Sequence, residues 1–228
     1  MDLLLVWKLK TSMDEWNCGI SSINAGKKRV RLLTSPPKSS SFNLTYPDKK
    51  YKTIVIDPPW NLPVVSPSHS QASFKHTGSL PYPTMKDEEL HKIPMSKFAD
   101  DRCQLFLWVT HGTLPLGLEL IKSWGFKYHC LLTWDKTKGI TICGFNRRTE
   151  YVIFAYKGKL DVKLKGLSIP TFFREMSTIH SRKPRIFYDI LLKSTPAPRL
   201  DMFARKIHVG FDAWGDQVEK IKPLEVFS

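Results

Sequence analysis

Asp57-Pro58-Pro59-Trp60 is the stretch of this chain whose residue types and spacing point most directly to chemistry. Two prolines fix φ and donate no backbone hydrogen, so the chain must turn stiffly here and hold the Asp57 carboxylate and the Pro58 carbonyl in place. Beside them Trp60 offers an aromatic face. Two fixed acceptors next to a flat hydrophobic surface suit a planar base with an exocyclic amino group: the acceptors take the amino hydrogens while the ring stacks on the indole. The plainer reading is a strand that ends at a Pro-Pro turn, with Asp57 as a turn residue and Trp60 in the core. The tetrapeptide alone leaves both open.

The element that must position it is Tyr51 to Ile56, a short β-branched run without helical period that predicts a buried parallel strand. Further strands are expected over Gln104 to Thr110, Tyr128 to Trp134 and Glu150 to Tyr156. Lys86 to Ile93, acidic at its start and followed by Pro94, predicts a short helix; Leu114, Leu118 and Ile121 recur at helical spacing before a stop at Gly125. Ile186, Phe187, Ile190 and Leu191 mark a helical face after Pro184, which suits the first helical position and holds Lys183 at a helix N-terminus, where a cation is electrostatically misplaced. Strands alternating with helices predict an α/β fold, a mostly parallel, Rossmann-like twisted sheet with helices on both faces. Ligands in such folds bind beyond the carboxyl ends of the strands, where Asp57 falls. Asn61 to Leu80 and the basic stretch Asp135 to Thr149 both read as long loops near that edge.

A hydrophobic content of 42% over 228 residues can bury one sizeable core, and the expected organisation is a basic N-terminal segment and linker over 1–41, one domain over 42–222 and a tail over 223–228. A net charge of +14 and a sequence pI of 9.6 point toward a polyanion such as nucleic acid, although a basic but indifferent surface has the same composition. Cys18, Cys103, Cys130 and Cys143 lack metal-site or disulfide spacing, so no metal is assigned and reduced thiols in an intracellular protein are expected. That location is cytoplasmic for a prokaryotic or phage protein, with the nucleus open for a eukaryotic one. The N-terminal Leu3-Leu4-Leu5-Val6-Trp7 is too short for a secretory signal, and no stretch is long enough to span a bilayer.

The tetrapeptide after a hydrophobic strand resembles the catalytic motif of amino methyltransferases, which transfer a methyl group from S-adenosylmethionine to adenine or cytosine amino nitrogens. With Trp in fourth place it resembles the adenine N6-methyltransferase family with the DPPW motif, which contains the catalytic subunit of the eukaryotic messenger RNA enzyme and many single-domain bacterial and phage relatives. The resemblance runs from about Tyr51 to Val218 in family order. It implies a permuted motif order and a catalytic Asp57, Pro58, Pro59 and Trp60. It implies substrate contacts from Trp60, Tyr82 and Glu150, with Asn146, Arg147 and Arg148 on the second active-site loop. Lys183 matches the lysine that reaches cofactor and target base. Leu200-Asp201-Met202-Phe203-Ala204-Arg205 resembles a cofactor motif that has lost its glycines, giving Phe203, Arg205 and His208 as cofactor contacts beside Asp57, while Asp216 and Gln217 match the polar pair that binds the ribose.

The implied activity is S-adenosylmethionine-dependent N6-adenine methylation, with DNA favoured over RNA because the chain lacks zinc-finger spacing and a second domain. A noncatalytic nucleic-acid-binding subunit of a methyltransferase complex is the alternative, and a homodimer or heterodimer is compatible with either. No membrane partner is expected.

Overall fold

The computed structural model describes residues 32–33, 46–61, 84–142, 144–160, 168–176 and 183–215. Tyr82, Asp216 and Gln217 lie outside these residues, as do the 61–80 loop beyond Asn61 and the ends of the expected domain.

In chain order the elements are β1 (Leu32–Leu33), β2 (Tyr51–Ile56), α1 (Asp87–His91), α2 (Met95–Phe98), β3 (Ala99–Val109), α3 (Leu114–Ser123), β4 (Lys127–Ile142), β5 (Phe145–Lys157), β6 (Phe172–Arg174), α4 (Arg185–Ser194), β7 (Arg199–Met202) and β8 (Asp212–Trp214). The strands form one sheet in the order β1-β8-β7-β2-β3-β5-β4-β6. Neighbours are parallel throughout except around β5, which runs antiparallel to both β3 and β4. The mostly parallel sheet expected from the sequence is therefore present. Leu32–Leu33, ahead of the expected domain start, pairs with β8 at the sheet edge.

β2 lies at the centre, and its side chains divide between two cores as period two requires. Ile54 and Ile56 join Leu105, Leu107, Val109, Ile153 and Ala155 under Leu90, Met95, Phe98, Leu120 and Ile121 of α1, α2 and α3. Val55 faces the other way, with Phe106, Trp108, Val152 and Phe187, Tyr188 and Leu191 of α4. Helices thus cover both faces. Gly117 lets α3 sit close on the sheet, since a Cβ there would come within 2.7 Å of Val109 and 2.9 Å of Ile153. Gly125 ends the segment after α3 with φ +79, a conformation in which glycine has no Cβ penalty.

Three expectations need correction. The third and fourth strands are longer than the hydrophobic runs suggested, and 135–149 is largely a continuation of the β4–β5 ladder rather than a loop: Asp135 pairs with Thr149, Ile140 with Arg147 and Ile142 with Phe145. Pro184 is the N-cap of α4 rather than its first helical residue. The buried face of α4 is Phe187, Tyr188, Leu191 and Ser194, turned from the expected stripe so that Ile190 is only half-buried.

Candidate active site

β2 leads onward to β3 on one side, and its neighbour β7 leads to β8 on the other. Connections leaving in opposite directions open a crevice beyond the carboxyl ends of β2 and β7, the usual ligand position of open α/β sheets. Asp57 follows β2 there, its backbone N–H donating to the Met202 carbonyl at the end of β7 at 3.5 Å. Pro58 and Pro59 then turn the chain: the Trp60 N–H donates to the Pro58 carbonyl at 2.8 Å and the Met85 N–H to the Pro59 carbonyl at 2.9 Å. The Pro58 carbonyl expected to face a substrate is thus already an acceptor within the turn, with its second lone pair remaining.

Trp60 departs from the stacking role read from the sequence. It is 7% exposed, packs in the core beneath the sheet and donates its indole N–H to the Trp108 carbonyl at 3.2 Å. This geometry makes it an anchor for the turn: the hydrophobic ring holds the tetrapeptide against the sheet, and its polar edge is satisfied by β3. No open indole face is left in this arrangement.

The charged centre is built on Lys183. Its ammonium lies 3.2 Å from Asp57 Oδ1 and 3.1 Å from Glu150 Oε2, and 4.6 Å from the centre of the Trp108 ring. Lys136 reaches the other Glu150 oxygen at 3.0 Å. The side chains are only 22% exposed for Asp57, 13% for Lys183 and 19% for Glu150, so these charges act in a poorly solvated space. Burial pushes the Lys183 ammonium down, but Asp57 and Glu150 outweigh it and hold the group above the ordinary lysine range. For Asp57 burial wins: its carboxyl is lifted above the usual range, with Glu150 adding to the rise and Lys183 and Arg205 opposing it. Burial lifts Glu150 too, but its two lysines more than reverse that and leave it below the usual range.

Two features that no local sequence signal revealed hold Lys183 in place. The carboxylate of Glu175, just after β6, accepts the Arg185 and Ile186 N–H groups at 2.9 and 3.0 Å, capping α4 from a distant segment. Asp135 joins Arg148 and Arg174 at 3.0 Å each and accepts the Thr137 N–H at 2.9 Å, fastening the root of the β4–β5 ribbon to β6. Burial raises the Asp135 pKa, but the Thr137 N–H and the two arginines prevail and lower it.

The cofactor candidates Phe203, Arg205 and His208 follow β7, the neighbour of β2. Phe203 follows β7 in the left-handed region at φ 58 and packs edge-on against Trp214 at 5.2 Å between ring centres. Arg205 is close enough to act on Asp57 electrostatically. His208 stacks on Tyr188 at 3.4 Å, so one face of its ring is already covered. Under that stack, Tyr188 hydrogen-bonds Asp201, a 3% exposed acid whose carboxyl burial pushes up to about 8. Asn146, Arg147 and Arg148 do not gather at Asp57; they stand exposed on the ribbon, and only Glu150, at its root, enters the charged centre. Among the described residues no group of three or more His, Cys, Asp or Glu is placed to hold a metal, and no helix is long and apolar enough to cross a membrane.

Comparison with known proteins places the chain among methyltransferases. The chain is 29% identical over 185 residues to the type II methyltransferase M.MunI of Mycoplasma sp, covering 75% of this chain and 79% of that protein. It is 26% identical over 219 residues to the N(6)-adenosine-methyltransferase catalytic subunit METTL3 of Homo sapiens, covering 90% of this chain but 35% of the relative. For the MT-A70-like N(6)-adenosine-methyltransferase of Drosophila melanogaster the identity is 27% over 205 residues, with 31% of the relative covered. The MT-A70 family model matches residues 51–217, from the first residue of β2 to just past β8, which is well over half the sequence: the chain belongs to the MT-A70 family of methyltransferases.

Proposed function

We propose that this protein is an S-adenosylmethionine-dependent methyltransferase that modifies N6 of adenine in DNA. The observation that carries the reading is Asp57, a carboxylate with part of its surface open, fixed at the crevice by a Pro-Pro turn and braced by a lysine it shares with Glu150.

The crevice fits the cofactor by its donor set. A group carrying an ammonium, a carboxylate and a sulfonium needs anionic and cationic partners close together, and Asp57, Lys183 and Arg205 supply both. Phe203 adds an apolar wall, and Asp216 and Gln217, which match the family's ribose-binding pair, follow β8 in the sequence. When bound, S-adenosylmethionine supplies a methyl group activated by attachment to a sulfonium sulfur.

The protein's own residues then act on the amine. An adenine amino nitrogen is a weak nucleophile because its lone pair is delocalised into the ring. The Asp57 carboxylate accepts one N6 hydrogen and raises electron density on nitrogen, and its raised proton affinity lets it take that proton as the nitrogen becomes cationic. Lys183 keeps Asp57 ionised until then, and Glu150 keeps Lys183 charged and aimed. The buried Trp60 holds the acceptors in register, which is the orientation part of the catalysis.

DNA is favoured because M.MunI, a type II methyltransferase, is matched over 79% of its length. The test is incorporation of labelled methyl groups from S-adenosylmethionine into duplex DNA, single-stranded DNA and RNA assayed in parallel. Adenine labelling in DNA, weakened by salt as phosphate contacts release counterions, is expected. Labelling of RNA alone would reject the DNA assignment, cofactor binding without transfer to any substrate would favour the noncatalytic subunit, and labelled cytosine would reject the target base. Replacing Asp216 and Gln217 together by Ala is expected to weaken cofactor binding by about 1–3 kcal/mol in calorimetry, and an unchanged affinity would remove them from the site.

A further inference from the structure

The β4–β5 ribbon extends beyond anything the charged centre requires. β3 leaves it at Tyr151 and β6 at Asp135, so past the Asp135–Thr149 pair it continues as two strands with no third among the described residues. A register shift between Asp135 and Ile140, with Thr137 at φ 65, bulges β4 at that point, a device that re-aims a ribbon. Lone ribbons are marginal in water and bare strand edges invite aggregation unless charged. This one carries Lys136, Lys138, Arg147 and Arg148, while its acids, Asp135 and Glu150, lie at the root. Because successive side chains alternate, Arg147 and Arg148 stand on opposite faces. Arg148 shares Asp135 but stays 47% exposed.

At the tip, paired with Ile142, is Phe145. It is 78% exposed, the most exposed large hydrophobic side chain among the described residues. A single exposed apolar residue is ordinary on a surface; an aromatic ring at the end of a cationic ribbon rooted in the site is a different matter. The N6 amino group of adenine faces the major groove, which is about 12 Å wide and admits a two-stranded β-ribbon. Yet the Asp57 carboxylate sits recessed at the sheet edge, where a base still stacked in a duplex cannot reach it and must be extruded. Extrusion leaves a gap in the stack, and apolar wedges fill such gaps. Glu150, beside Asp57, is five residues from Phe145, which at ~3.4 Å per residue spans roughly 17 Å, more than the ~8.5 Å depth of the groove.

We propose that this ribbon is a duplex-opening arm: Arg147 and Arg148 hold phosphates on either side of the major groove, and Phe145 enters the base stack where the target adenine leaves it. The inference rests on the DNA reading above and adds that the substrate is a duplex. Its test is methyl transfer to unmethylated plasmid DNA and to the same DNA after heat denaturation, by wild type, Phe145→Ala and Phe145→Trp. Phe145→Ala is expected to slow transfer to the duplex at least about tenfold and to the separated strands far less, since unstacking costs a few kcal/mol only when there is a stack. Phe145→Trp should restore the duplex rate, and all three proteins should melt alike. Equal loss on both substrates, or no loss on either, overturns the wedge while leaving the DNA activity standing. Loss on both together with dissociation of a dimer in sedimentation overturns it in favour of a protein contact. A wild type that labels neither form removes the DNA reading and the wedge with it.

Discussion

Two ion clusters flank the root of the β4–β5 ribbon, and they are built in opposite senses. In the inner one Lys183 is shared by two carboxylates, Asp57 and Glu150, with Lys136 on the other oxygen of Glu150; in the outer one a single carboxylate, Asp135, is shared by two cations, Arg148 and Arg174. Lys183 and its two carboxylates are 13–22% exposed, whereas the outer arginines are 47% and 57% exposed and reach water even while paired. The same kind of contact at nearly the same distances therefore carries different energies. Inside, each charge depends on its neighbour because no water replaces it. Outside, Asp135 is itself only 3% exposed and keeps the Thr137 N–H, while the arginines are solvated even when paired and lose little by letting go, which suits groups that must also meet phosphate.

The largest effect is expected at Lys183. Lys183→Met leaves two poorly solvated carboxylates around an apolar side chain, and breaking such a pair by removing one partner costs about 3–5 kcal/mol. The pH dependence has a definite sign. The raised pKa of Lys183 contributes stability that is complete below its ordinary value of 10.5 and is lost as pH rises through the folded value. The lowered pKa of Glu150 contributes stability present above its ordinary value of 4.5 and lost as pH falls through the folded value. Denaturant unfolding should therefore show the variant weakened at neutral pH and much less so below about pH 4, where the carboxylates protonate. An equal loss at both would mean that Lys183 acts by packing on Trp108 rather than by charge.

Asp57 should break the pattern in an informative way. Burial disfavours the ionised carboxyl, but the same carboxylate is the main support of the Lys183 charge, so removing it relieves one penalty and creates another. Asp57→Ala is expected to lose at least about two orders of magnitude in turnover, as for other preorganised electrostatic groups, while the two opposing effects leave melting at neutral pH close to wild type. Glu150→Ala, with its lowered pKa, should instead melt lower. If Asp57→Ala proved less stable and still active, Asp57 would be a structural partner of Lys183 and no more.

What the sequence disclosed follows from where hydrophobic pattern exists. β2 and the second half of β3 are buried on both faces and β4 and β5 bury Leu132, Trp134, Val152, Ile153 and Ala155, so their β-branched and aromatic runs are visible without any partner, and Asp57 at the end of β2 is visible with them. The outer half of the β4–β5 ladder is exposed and basic, so no apolar alternation marks it and it read as a loop. Trp60 was legible as aromatic, but its burial depends on Trp108 and Met85, far away in sequence. The Glu175 cap and the Asp135 bridge join segments 10 and 39 residues apart, and local spacing carries no trace of either. The pair Asp201 and Tyr188 joins β7 to α4, and neither the motif around Asp201 nor the helical face before it points to the other partner.

In that pair burial outweighs the pull of Lys183, which makes it a reference for the inner cluster. Asp201 is pushed up to about 8 chiefly by burial, from an ordinary 3.8. Between those values the folded protein holds a proton that the unfolded chain has released, so stability falls as pH rises from about 4 to about 8 and levels off above. Asp201→Asn should flatten that slope while keeping an acceptor for the Tyr188 hydroxyl. Parallel wild-type and variant slopes in urea unfolding across this range would show that Asp201 is ionised in the fold.

The smallest effect is expected at Asp135, and it is the sharpest test of the contrast between clusters. Asp135→Asn keeps a side-chain oxygen to accept the Thr137 N–H, so the turn at the bulge is preserved, and it removes only the charge facing Arg148 and Arg174. Those arginines are half exposed and can be solvated in place, so the cost in unfolding free energy should be no more than about 1 kcal/mol, the range of exposed pairs, and should shrink further in high salt. Affinity for DNA should hold or rise, because Arg148 on the ribbon and Arg174 on β6 both remain and an anion at the ribbon's root is lost. A loss approaching that of Lys183→Met would mean that Asp135 is as closely committed as Asp57, and that the two clusters differ in composition but not in kind.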